Sequence, residues 1–231
     1  MSSADIQAGL RANNISTVSF WYNKNQKVTS EGSSGEITFG PPLPQRYNGS
    51  FQYAPLVADR SHWNIQIQNI LLADGTQTMT APITTIVDTG TTLVSLESSL
   101  FQKINQQMGG SPDRSGVYLV DCQKAKTLKP LVFQLTKDTN LTLTWDQQIL
   151  VVKAQGLCVS IFQPSDSTGI TNIIGATFLA NFYTVFDYTN ERIGFATPTG
   201  QGVLSLPNNF AVGKSANMLV NVMLSILLMS I

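Results

Sequence analysis

The chain has 231 residues, with 14 basic and 14 acidic side chains and one histidine. Charged residues make up 12% of it, against roughly 25% in an ordinary soluble domain; 42% is hydrophobic and 44 positions are serine or threonine. Zero net charge argues against a nucleic-acid partner, because neutralising phosphates takes a surplus of Lys and Arg; one histidine and two cysteines are too few for a zinc site, and the apolar fraction is too high for a disordered chain.

The N-terminal segment, Met1 to Asn14, lacks the apolar stretch of a signal peptide. Ile6 and Leu10 share one helical face, so Asp5 to Arg11 reads as a short helix. Thr17 to Tyr22 (TVSFWY) and Gly35 to Phe39 (GEITF) are β-branched and aromatic runs separated by a Lys, Asn, Gly and Ser cluster, and they read as two strands and a connection. The three prolines of Gly40 to Pro44 cannot sit in a central strand, since proline removes ladder donors. Phe51 to Val57, Asn64 to Leu72 and Ile83 to Val87 continue the strand pattern, with alternation at Trp63, Ile65 and Ile67 and a tight turn at Asp74-Gly75.

Glu97 to Met108 has helical spacing, with Leu96, Leu100, Phe101 and Ile104 on one face, and Gly109-Gly110 ends it. Strand patterns resume at Gly116 to Val120, Leu131 to Leu135, Leu141 to Trp145 and Ile149 to Val152. Ile173-Ile174-Gly175 leads into a short mixed segment, and Tyr183 to Asp187 with Arg192 to Ala196 form a hairpin pattern. The fold class is all-β with one or two short helices. The chain is long enough to bury a sizeable core in one or two domains.

Cys122 and Cys158 are 36 residues apart, which excludes a C-x-x-C motif. They are either one disulfide in an oxidising compartment or two free buried thiols. Asn14, Asn48 and Asn140 begin N-x-S/T sequons and are glycosylation candidates. Met218 to Ile231 carries no charge and follows a polar spacer. As a helix it would rise about 21 Å, short of a hydrocarbon core of about 30 Å. Three alternatives stay open for it: a removable membrane-anchor signal after residues 200–205, a short membrane-associated or core helix, or an incorrect gene end.

The segment richest in chemistry is Ile86-Val87-Asp88-Thr89-Gly90-Thr91-Thr92. It places a carboxylate at the end of an apolar strand, then a Thr-Gly turn whose amides and hydroxyls can donate to that carboxylate. By itself D-T-G also fits a plain Asx-type turn. Its surroundings are G-E-I-T-F-G (35–40), Y-N-G-S (47–50), Y-A-P-L (53–56), W-N-I (63–65), I-I-G-A-T-F-L (173–179), F-Y-T-V-F-D (182–187) and R-I-G-F-A (192–196). In this order these motifs resemble the C-terminal lobe of the pepsin-like aspartic endopeptidases, over residues 5 to about 197.

The resemblance implies a bilobal acid protease of which residues 1–34 match the end of the N-terminal lobe and the inter-lobe strand region. Residues 35–200 match the C-terminal peptidase lobe, and 201–231 form the spacer and tail. It implies that Asp88 is catalytic, that Thr89 ties the two active-site loops together, and that Gly90 and Thr91 steady the aspartate. Thr91, Thr92 and His62 would contact substrate, although His62 also reads as a solvated surface residue. Cys122 and Cys158 would form the lobe's disulfide. Ala176 stands where the family often has aspartate, so one hydrogen-bonding group is lost. The expected localisation is extracellular, secreted or cell-surface anchored, with no organic cofactor and no metal.

Such enzymes need two carboxylates: one activates a water while its protonated partner donates to the scissile carbonyl. This sequence holds one D-T-G and no D-S-G. Three expectations follow. The chain is the Asp88 half of an acid endopeptidase whose partner is the missing N-terminal lobe; or a non-catalytic lobe that binds peptides or a partner; or a homodimer that rebuilds the dyad from two copies of Asp88.

Overall fold

The computed structural model describes residues 9–10, 12–24, 35–58, 62–72, 75–114, 116–152, 156–165 and 172–200. Most of the expected Asp5 to Arg11 helix, most of the connection before Gly35, Asp74 and the whole 201–231 tail lie outside these residues.

Strands dominate. In chain order they are β1 (Thr17–Tyr22), β2 (Gly35–Phe39), β3 (Tyr47–Pro55), β4 (Asn64–Ile67), β5 (Asn69–Leu71), β6 (Ile83–Val87) and β7 (Val94–Leu96). After helix α1 (Ser98–Met108) come β8 (Ser111–Pro112), β9 (Tyr118–Val120), the single-turn helix α2 (Cys122–Ala125), β10 (Leu131–Gln134), β11 (Asn140–Leu143) and β12 (Ile149–Val152). The chain continues through β13 (Leu157–Ser160), β14 (Phe162–Pro164), β15 (Ile173–Ile174), the single-turn helix α3 (Ala176–Leu179), β16 (Tyr183–Asp187) and β17 (Arg192–Pro198).

They assemble into sheets ordered β2-β1-β16-β17-β3, β14-β7-β15-β6-β4, β12-β13-β9-β8 and β11-β10-β5. The C-terminal hairpin pairs Tyr183 with Ala196 and Asp187 with Arg192, and β1 lies antiparallel on its other side, Thr17 opposite Asp187. Residues near the start and end of the described chain therefore share one sheet. Beneath it, Ile65, Ile67, Phe133, Phe162, Phe178 and Phe195 are fully buried in a continuous core. The Phe133 and Phe178 rings meet edge to face at 5.0 Å, a geometry the ring quadrupoles favour.

Asn64 to Leu72 was expected as one strand and is two. β4 pairs with β6, and β5 pairs with β10 in a different sheet. Between them the Gln68 N–H donates to the Gln134 carbonyl at 2.7 Å. Both halves bury apolar residues, so period-two alternation could not reveal where the strand changes sheets. Helix α1 buries Leu100, Phe101, Ile104 and Met108. Gly109 closes it with a left-handed φ of 64° and an N–H donated to the Asn105 carbonyl, a backbone conformation that costs glycine little.

Cys122 and Cys158 form a disulfide. It ties α2 to β13 beside the pairing of β9 with β13, where Val120 stands opposite Cys158. Among the described residues no helix is long and apolar enough to cross a membrane.

Candidate active site

β6 is an Ile-Thr-Thr-Ile-Val run, and β-branched side chains favour the extended backbone. It runs parallel to the two-residue strand β15, Ile173 beside Ile86 and Ile174 beside Val87. On its other side β15 meets β7 antiparallel, Ile173 opposite Ser95. The chain from residue 88 to 93 must therefore leave β6, pass over the end of β15 and return as β7.

That passage is tied down by backbone bonds. The Asp88 N–H donates to the Ile174 carbonyl at 3.0 Å, the Ala176 N–H to the Thr91 carbonyl at 2.7 Å, and the Thr177 N–H to the Thr92 carbonyl at 2.9 Å. The Thr177 hydroxyl adds a second bond to the Thr92 carbonyl at 2.9 Å. Gly175 sits under the crossing: a Cβ there would lie 2.3 Å from the Leu93 carbonyl oxygen and 2.5 Å from that of Thr91. Glycine is needed here for closeness of backbone to backbone.

The carboxylate of Asp88 is oriented by two donors. The Gly90 N–H reaches Oδ1 at 2.8 Å and the Thr91 hydroxyl reaches Oδ2 at 2.6 Å. Each oxygen keeps acceptor capacity, and Asp88 is only partly buried. A half-exposed carboxyl group in a fixed plane can hold a water or exchange a proton with a bound group.

Of the residues expected at the site, Asp88, Thr89, Gly90, Thr91 and Thr92 form this one loop. Thr89 is half-buried, Gly90 exposed and Thr92 buried. His62 is exposed and stands one residue before Trp63, whose carbonyl accepts from the Val87 N–H at 2.9 Å. Ala176 opens helix α3 and contributes its N–H to the loop. Asn14, Asn48 and Asn140 are all solvent-exposed.

The fold also brings Tyr22 to the site. Burial, and after it the charge of Asp88, push the Tyr22 phenol above its ordinary range. Its oxygen is buried with no hydrogen-bond partner among the described residues. Tyr22 closes β1, 66 residues before Asp88 in the chain, and the two come together only in the folded chain. No local sequence signal carries that.

The family model for eukaryotic aspartyl proteases matches residues 11–198. The chain belongs to that family. It is 34% identical over 184 residues to Aspartic protease 3 of Caenorhabditis elegans, covering 77% of this chain and 45% of that protein. It is 33% identical over 166 residues to renin of Rattus norvegicus, covering 70% and 41%, and 32% identical over 183 residues to cathepsin D of Chionodraco hamatus, covering 77% and 45%. The crystal structure of the aspartic proteinase from Irpex lacteus superposes with a TM-score of 0.69 at 30% identity, over 81% of this chain and 58% of that one. The chain thus spans less than half the length of the three relatives matched by sequence and 58% of the solved structure it superposes on.

Proposed function

We propose that this chain supplies the Asp88 half of an aspartic endopeptidase, hydrolysing peptide bonds at acid pH with a second carboxylate from outside the Asp88 loop. The observation that carries the reading is the pair of donors, Gly90 N–H and Thr91 Oγ1, that fix both oxygens of one part-exposed aspartate. Family membership supports it. In this reading Asp88 shares one proton with its partner, since like charges about 3 Å apart cannot both ionise. The ionised member takes a proton from water and the protonated member donates to the scissile carbonyl. Thr89, Gly90 and Thr91 hold the loop, and Thr91 and His62 meet the substrate peptide. Thr92, expected to contact substrate, is 3% exposed and instead holds the loop through its carbonyl, which accepts twice from Thr177.

The disulfide favours folding in an oxidising compartment. With it we propose a secreted or surface-anchored protein, glycosylated at Asn14, Asn48 and Asn140, whose anchored form would be held through the 201–231 tail.

The test is digestion of a denatured protein by the longest natural polypeptide that contains residues 1–231, with and without pepstatin, between pH 3 and pH 8. Pepstatin-sensitive cleavage that disappears as the shared proton is lost at higher pH supports the reading. Capture of peptides without cleavage at any pH supports the binding-lobe alternative instead.

A further inference from the structure

Lys24 lies just beyond β1 and is 7% exposed, the most buried of the lysines among the described residues. A buried ammonium group is costly unless acceptors surround it. Its Nζ donates to Oδ1 of Asn181 at 2.5 Å, and Asn181 is itself 4% exposed. The other end of the same amide, Nδ2, donates to the Thr177 carbonyl at 3.1 Å. Thr177 in turn gives both its N–H and its hydroxyl to the Thr92 carbonyl, and Ala176 beside it gives its N–H to the Thr91 carbonyl. A continuous run of hydrogen bonds therefore joins Lys24 to the loop that presents Asp88.

We propose that Lys24 is a positioning residue: its ammonium group fixes the Asn181 amide, which holds helix α3 where it can clamp the Thr91–Thr92 backbone and so set the orientation of Asp88. An amide has two faces that differ only in which atom donates. A cation on one side of Asn181 admits Oδ1 alone, and that leaves Nδ2 directed at Thr177. A neutral amine can donate or accept and imposes no such choice. The clamp is therefore sensitive to the charge on Lys24.

Burial lowers the pKa of Lys24 to about 8, the carboxylate of Asp146 partly opposing that shift. Asp146, in the 3-10 turn Trp145–Gln147, is the charged group whose field reaches Lys24; Asn181 is uncharged. The clamp is firm below about pH 8 and loosens above it. The consequence for catalysis rests on Asp88 being the reactive group, but the clamp is observable without any proteolysis.

The experiment is amide hydrogen exchange and chemical-shift titration of the whole chain from pH 6 to pH 10, with exchange expressed as protection factors. In the wild type the Thr91, Ala176 and Thr177 amides and the Asn181 side-chain amide shift with one midpoint near pH 8. Protection of the Ala176 and Thr177 amides falls about tenfold across it. Lys24→Arg, which keeps its charge throughout this range, removes the inflection and keeps the protection. Lys24→Met shows low protection at every pH while its global melting temperature does not fall. A flat wild-type titration at these four groups overturns the proposal with no variant needed, as does Lys24→Met protected to the wild-type level. Should proteolysis fail while the titration holds, the enzymatic reading falls and the clamp stands.

Discussion

One side chain, one backbone amide and one missing side chain decide the local geometry around residue 88. Thr91 and the Gly90 amide hold the carboxylate of Asp88, and the absence of a Cβ at Gly175 lets the loop pass within backbone contact of β15. Gly175→Ala inserts an atom 2.3 Å from a carbonyl oxygen that belongs to backbone and cannot rotate away. Its φ of −96° is open to any residue, so the penalty is steric. A loss of at least about 2 kcal/mol in denaturant unfolding is expected. A Gly175→Ala variant within about 0.5 kcal/mol of wild type would mean that the loop can lift off β15. Lys24 acts in the opposite sense on stability. Its folded pKa, about 8, lies below the ordinary 10.5, so the unfolded chain binds more protons between those values and stability rises with pH there. Lys24→Met should therefore stabilise the chain by about 2 kcal/mol below pH 8, and the gain should fade as pH approaches 10.5. Chemical denaturation at pH 6 and pH 10 checks it.

At the scale of elements, the disulfide closes a span of 36 residues between α2 and β13. Constraining an unfolded loop of that length is worth about 3–4 kcal/mol in the chain-entropy picture. The Cys122→Ala/Cys158→Ala double variant should lose about that much in denaturant unfolding at unchanged pH, whereas a loss under 1 kcal/mol would show that the native packing already imposes the constraint. Much of this level was legible in the sequence. Thr17 to Tyr22, Gly35 to Phe39, Ile83 to Val87 and the C-terminal hairpin are runs whose β-branched and aromatic content speaks locally, and α1 declares itself through its apolar face and Gly109. Other elements were hidden because their cause is not local. β7 and β15 are only three and two residues long and exist because of their sheet neighbours, β15 lying between β6 and β7, and β7 between β15 and β14. β13 follows a run that already read as a strand. α2 did have a local signal: Asp121 caps it by accepting from the Gln123 and Lys124 amides. That cap stands before a single turn, too short for helical periodicity to register. At the site, the D-T-G-T-T string was readable, while Tyr22 and Lys24 come from the far end of β1 and Asn181 reaches the loop through Thr177, so that only the folded chain brings them together.

Across the whole molecule, one sheet gathers β1 and β2 from the beginning of the described chain with β16 and β17 from its end. The outer strand of that sheet, β2, exposes Ile37 and Phe39 at 44% and 61%. Among the described residues no strand pairs with the outer side of β2, and an unpaired edge is where a partner strand can add. The second sheet carries Asp88 at the end of β6, which lies between β15 and β4, so the Asp88 loop leaves a strand that is paired on both sides and its carboxylate is held in place by the fold. Such preorganisation is how an acid–base group avoids reorganisation during the reaction. The arrangement provides one carboxylate of the two that the chemistry requires, and the account therefore turns on whether Asp88 is chemically used. The most direct measurement is the cleavage rate of a denatured protein at acid pH by the longest natural polypeptide containing residues 1–231, wild type against Asp88→Asn. The amide keeps the size and the acceptor for Gly90 but cannot take or give the proton. The account predicts a fall of at least about 1,000-fold with folding unchanged; cleavage by Asp88→Asn at the wild-type rate would contradict it.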